Sequence, residues 1–488
     1  MNQEATGETK REKIVILGGG VAAMTTAYEL TNVPDWQSKY EITLYQLGWR
    51  LGGKCASGRN AKIADRIEEH GLHILCGFYE NAFHAIRGCY GELVESGLRA
   101  PDAPNARWEE AFSPKDNVDL CEYVDGQWIP WTLIRESNGR TPGEYNDGSR
   151  PLSPWDCVQR LISHILAQWG DSPHSKSECD STLAQIGDAH PDVWRNLAQK
   201  FEHRAIDVCN ATACDLLHIA EKFAASLPRD VKNHDKTDHG HLLWLLERFV
   251  HYLWEKTQNE IESHTETRRL VIEIGLAYGT IRGLIRDRVL EEGFYAIDNY
   301  DYKEWLDRNL EGWPGDKELI TLSAIVRGTY DLVFGFRHGD AWTPTNPGQF
   351  CLSAGAGLNF MMRLLFDYSG AIYYRMMGGT GDVILAPFYQ VLEKRGVKFE
   401  FFHRVRNLGL DDNEYSIDSV EMGRQVKLKN DFYEPLYDVK GLPCWPSEPL
   451  YNQIDDEQAR LLQQQNIDLE SSWTPWTQHE ETIALKKG

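Results

Sequence analysis

The sequence predicts an α/β fold in which a parallel-sheet lobe carries a large, mainly helical insertion, and three observations predict it. Residues 13–17, KIVIL, are a continuous apolar run of the kind buried on both faces of a parallel sheet. The cluster Gly18-Gly19-Gly20 follows at once and opens a stretch in which Ala23, Ala27 and Leu30 fall at helical spacing, with Met24 and Tyr28 widening the stripe. Residues 41–45 then read as a second strand, which completes a βαβ unit. That order of elements is Rossmann-type.

The remaining elements follow in sequence. Residues 12–139 form the N-terminal part of the lobe, and the Gly-, Pro-, Asp- and Ser-rich stretch 139–154 is the loop that leaves it. Residues 155–370 form a mainly helical substrate or cap region, since segments such as HLLWLLERFVHYLWEK place apolar residues three and four apart. A glycine turn at 378–382, a helix over 383–395 and the alternating run VKFEFFHRVRNLGL bring the chain back to the lobe within 371–430. Residues 431–488 read as irregular.

Composition bounds the function. A chain of 488 residues is long enough for two or three domains at roughly 150 residues each, and 42% hydrophobic residues give it apolar surface to fold without staples. Fifty-one Lys and Arg against 73 Asp and Glu leave a formal charge of -22, which repels phosphate backbones and excludes nucleic acid as a partner. The ten Cys are scattered singly, with no zinc spacing, and read as reduced thiols of a cytoplasmic protein. No apolar stretch approaches the roughly 20 residues needed to span a bilayer, which leaves room for peripheral membrane contact only.

Gly18-Gly19-Gly20-Val21-Ala22-Ala23 fits GxGxxA between a strand and a helix, the context in which that motif binds a dinucleotide. Gly18 permits the turn, Gly20 lets backbone approach a pyrophosphate, and the small Ala22 and Ala23 keep the helix N-terminus open and close-packed. The second strand ends in Gln46 where an acid normally holds the ribose hydroxyls, and a neutral acceptor there is weaker by roughly 1 kcal/mol.

Next come Arg50-Leu51-Gly52-Gly53-Lys54 and Glu69-His70-Gly71-Leu72-His73. With these motifs the chain resembles the phytoene desaturase-like branch of the FAD-dependent amine oxidase superfamily. The resemblance implies FAD as cofactor, with Arg50, Gly52, Gly53 and Lys54 around its pyrophosphate and His70, Gly71, Leu72 and His73 near the flavin ring. It resumes at Gly378-Gly379-Thr380-Gly381-Asp382 and His403-Arg404-Val405, where the amide of Val405 would meet the adenine. A metal at His70 and His73 is not expected, because an HxxH pair lacks a third ligand.

The resemblance further implies an FAD-dependent oxidoreductase acting on an apolar, isoprenoid or polyene-like substrate by hydride transfer to flavin. No catalytic residue emerges, since the flavin itself takes the hydride. The alternatives are an amine or amino-acid oxidase of the same superfamily and a cofactor-binding subunit without a complete active site. In that superfamily another lobe strand and a late GD motif follow a segment like ETIALKKG. The C-terminal part of the flavin lobe is therefore expected to be missing: either the chain is a fragment or, as we predict, a second polypeptide completes a heteromer.

Overall fold

The run KIVIL lies in a strand, β1 (Glu12–Leu17), that pairs in parallel with β2 (Tyr40–Tyr45) in the computed structural model of the chain. The structure describes residues 11–71, 73–144, 151–174, 193–197, 213–235 and 237–487. Between the two strands runs helix α1 (Val21–Thr31). A third parallel strand, Lys398–Glu400, takes the other edge of β2, so that β1 lies at the edge of the sheet.

The buried stripe of α1 is Met24, Ala27, Tyr28 and Thr31, whereas Ala23 and Leu30, expected in it, are only half-buried. Spacing fixes the period of a stripe but not its centre. Here Tyr28 sets the centre, with its ring edge-on to Phe388 at 5.0 Å and under the Arg395 guanidinium.

The chain divides into two compact units, one of Met1–Lys115, Arg140–Tyr145 and Tyr373–Gly488, the other of Asp116–Gly139 and Asn146–Ile372. The expected N-terminal piece 12–139 is thus too long. Its last part is a hairpin, Asn117–Val124 with Gln127–Ile134, turned by Asp125-Gly126 with both residues at positive φ. The hairpin belongs to the second unit because Trp131 packs with Ile272 and Ala324, and buried Glu122 accepts from Arg268 and Arg269. Alternating strands look the same in sequence whichever core they serve.

The second unit is built mainly of helices, among them Pro154–Asp171, Ala213–Ser226, Asp238–Thr257 and Thr265–Arg286. Ser153, Pro154 and Asp156 start the first of these with a capping box. Gly275, Gly279 and Gly283, four apart, let Ile320, Leu310 and Trp305 approach the backbone of the last one, where an added Cβ would meet them at 2.3, 3.0 and 2.2 Å. Cys214 is disulfide-bonded, a departure from ten reduced thiols that lone spacings could not reveal. Seven other cysteines, including Cys55, Cys89 and Cys444, are free.

In the first unit the run 397–410 is two strands rather than one. Phe402, at φ 61, breaks it, and His403–Leu410 leaves the parallel sheet to pair antiparallel with Ile417–Arg424. Residues 431–488, expected to be irregular, hold the short pair Tyr437–Val439 and Leu442–Cys444, helix Asp456–Gln464 and strand Glu481–Lys486. Strands of three residues are too short to show a period. The final strand pairs with Ile417–Arg424, and the fully buried carboxylate of Glu480 accepts from both Arg404 and Arg406. Among the described residues no helix is long and apolar enough to cross a membrane.

Candidate dinucleotide site

The end of β1 makes a tight turn because Gly18, at φ 87, occupies a region that side chains disfavour, and its N–H donates to Tyr45 O at 2.7 Å. The turn delivers the chain to α1 with Gly20 as its cap residue and no acidic side chain in the first turn. Such a helix start presents free N–H groups and a positive dipole end, a ready anion site.

The two glycine motifs meet here. Gly20 and Gly52 form an isolated parallel bridge, Gly52 N–H donates to Gly19 O at 2.8 Å, and Gly53 lies against Gly20. Gly52 is forced by its φ of 127 and by Leu385 and Ala56, which an added Cβ would meet at 2.3 and 2.7 Å. Gly20 is different. Its φ of -70 suits any residue, and a Cβ built on it would touch no atom within 4 Å. The space in front of it is open.

Several expected contacts are placed otherwise. Arg50 does not offer a free guanidinium, because Glu470 holds it with two hydrogen bonds of 2.8 and 2.7 Å. Lys54 is exposed and remains the available cation of that turn. Gln46 is buried, its Oε1 accepts from Gly19 N–H at 2.6 Å and its Nε2 donates to Leu47 O, so its amide caps the glycine turn instead of presenting an acceptor outward. Ala22 is exposed and Ala23 half-buried at the helix start.

His70 and Gly71 are exposed, and His73 lies 3.4 Å from the Glu69 carboxylate. Leu72 lies outside the described residues. Val405, 38% exposed, sits at a bulge opposite Met422. It is two residues past His403, whose N–H donates to Gln46 O. Burial holds the His403 imidazole below its ordinary range, and its Nδ1 contacts Phe401 O at 2.8 Å.

Five further residues, Ser57, Arg59, Glu69, Asp382 and Glu470, organise this region. Arg59 donates to Asp382, Ser57 Oγ accepts from Gly381 N–H, Glu69 accepts from Thr380 N–H, and Glu470 holds Arg50. Asp382 carries a faint signal, a Gly-Asp step before a helix; Glu470 carries none in the sequence, because only folding brings it to Arg50.

These features define a class, an α/β domain with an open glycine turn at a helix start, built to take a dinucleotide. Residues 16–88 match the family profile of the NAD(P)-binding Rossmann-like domain. A comparison with curated proteins gave no match. A dinucleotide-binding domain of this kind points to an oxidoreductase.

Proposed function

We propose that the protein is an FAD-dependent oxidoreductase that oxidises an apolar, isoprenoid or polyene-like substrate. The observation that carries the reading is Gly20, a glycine required neither by its backbone angle nor by any neighbour, at the mouth of a helix N-terminus. A glycine of that kind answers to a ligand whose pyrophosphate needs the room of a Cβ. FAD, when bound, supplies the hydride acceptor. The chain's own part is to hold the pyrophosphate on the amides at the start of α1, with Lys54 adding charge, and to place His70, Gly71 and His73 toward the ring and Val405 toward the adenine.

We propose further that a second polypeptide completes the parallel sheet. Among the described residues β1 has β2 on one side and no strand on the other, so its outer backbone edge is unpaired. An unpaired edge is a pairing surface. Strand Glu481–Lys486 pairs in the antiparallel sheet and does not cover that edge.

The purified protein is expected to show flavin absorption bands and to release FAD on denaturation. A folded chain that retains no flavin after mixing with FAD and removal of the free cofactor, and binds NADPH instead, would overturn the assignment. Native mass measurement of material from its source is expected to show a second chain; a monomer that is loaded with FAD and turns over substrate alone would remove that half of the proposal.

A further inference from the structure

The helical unit holds a cavity of its own. Its volume is about 330 Å³, within the range of small-molecule sites. The wall is formed by strand Gln127–Ile134 and helices Pro154–Asp171, Thr265–Arg286 and Ala354–Phe366. Trp131, Leu276, Met361, Leu365 and Phe366 make most of it apolar. Met361 gives the wall an adaptable side chain, anchored where Thr329 Oγ1 meets its sulfur at 3.3 Å.

Polar side chains also line it, Arg135, Gln168 and Glu266 among them, and one pair, His164 and Glu273, is set facing each other. His164 Nε2 lies 3.3 Å from Glu273 Oε2, with the two side chains only 19% and 18% exposed. The carboxylate fixes the tautomer, since Nε2–H donates to it, and Nδ1 is then an acceptor with no hydrogen-bond partner among the described residues. A histidine that served only packing would have its second nitrogen satisfied or in contact with apolar atoms. Here the pair borders a void large enough for a molecule.

We propose that this cavity binds a small apolar molecule carrying one hydroxyl, with its hydrocarbon body against Trp131, Leu276, Leu365 and Phe366 and its hydroxyl donating to His164 Nδ1. A neutral hydroxyl satisfies an acceptor nitrogen without bringing a charge against the apolar wall, which a charged head group would do. Calling this molecule the substrate rests on the oxidoreductase reading, whereas its binding does not.

The test is calorimetric titration of the full chain, without added cofactor, using geraniol and the hydrocarbon myrcene as probes. One geraniol site is expected, with a Kd on the order of 100 µM. Leu365→Trp, which fills the cavity from a partly buried position, is expected to abolish it. His164→Phe is expected to weaken geraniol about tenfold while changing myrcene far less, since the acceptor nitrogen is lost and a flat ring only somewhat larger takes its place. Absence of saturable geraniol binding, equal affinity for both probes, or indifference to His164→Phe would each overturn the proposal. If Leu365→Trp fails to fold by circular dichroism, the His164→Phe comparison decides alone. Loss of the flavin assignment would leave these heats unaltered, so the two readings fail separately.

Discussion

Two glycine turns in the same unit, Gly18–Gly20 and Gly378–Gly381, have nearly the same composition and each lies between a strand and a helix, yet they are used in opposite ways. At the second, Gly379 N–H donates to Asp382, Thr380 N–H to Glu69 and Gly381 N–H to Ser57, and an added Cβ at Gly379 or Gly381 would meet Ser57 Oγ at 2.7 Å. These three donors are spent on the protein. At the first, Gly18 and Gly19 bond to Tyr45 and Gln46, but Gly20 faces open space. A glycine cluster thus has two possible causes, close packing or a missing partner, and only the surroundings distinguish them.

The largest effect is expected at the packed turn. Asp382 is 1% exposed and holds Arg59 and the Gly379 amide, so Asp382→Ala leaves a partly buried cation and a buried donor unpaired. A loss of about 3–5 kcal/mol is expected in urea unfolding of the first unit. A loss below about 1 kcal/mol would mean that this knot does not hold the turn.

The same substitution at both turns sharpens the contrast. Gly381→Val drives side-chain atoms into Ser57 and toward Trp445, and is expected to cost about 1–3 kcal/mol. Gly20→Val has backbone angles and space to accept the new side chain, and is expected to leave stability within about 0.5 kcal/mol while abolishing dinucleotide binding. Thermal melts and flavin content measured on both variants separate the cases. Full cofactor occupancy in Gly20→Val would make the first turn a structural element like the second.

The contrast also marks what the sequence could show. The βαβ unit was legible because KIVIL, the helical stripe and residues 41–45 are long, strongly patterned segments, and they fold nearly where the pattern puts them. The bridge between Gly20 and Gly52 was not read from the sequence, where the resemblance implied only a pyrophosphate shared by the two motifs. What stayed hidden depends on contacts distant in the chain: Glu470 taking Arg50, Gln46 turning back onto Gly19, and the hairpin at 117–134 joining the helical core. Phe402 breaking one alternating run into strands of two sheets was equally invisible, since nothing in its side chain signals a positive φ.

Acid distinguishes the flanks of the turns. His403 adjoins Gln46, and burial lowers its affinity for a proton, with Arg424 adding to the effect and Glu400 opposing it. The folded state therefore prefers the neutral imidazole. Its contribution is complete above the ordinary value of 6.5 and is lost as pH falls below it, by at most about 1.4 kcal/mol per pH unit. Urea midpoints between pH 7.5 and 5 are expected to fall for the native chain and to fall less for His403→Gln. Parallel slopes would remove His403 as the source.

The smallest effect is expected at Gln46, and it asks whether the first turn is open as it stands or must rearrange to receive its ligand. In Gln46→Glu the carboxylate still accepts from Gly19 N–H, now with charge and close to the positive end of α1. Against that, the donor to Leu47 O is lost and a buried site takes a charge. These terms oppose each other, and stability is expected to change by less than about 1 kcal/mol. Dinucleotide affinity is expected to change less than about tenfold, because a side chain held on Gly19 is not presented to a ribose. If titration with FAD instead showed the variant binding tenfold tighter or more, the side chain must swing off Gly19 to hold the ribose hydroxyls. The first turn would then differ from the second in mobility as well as in openness.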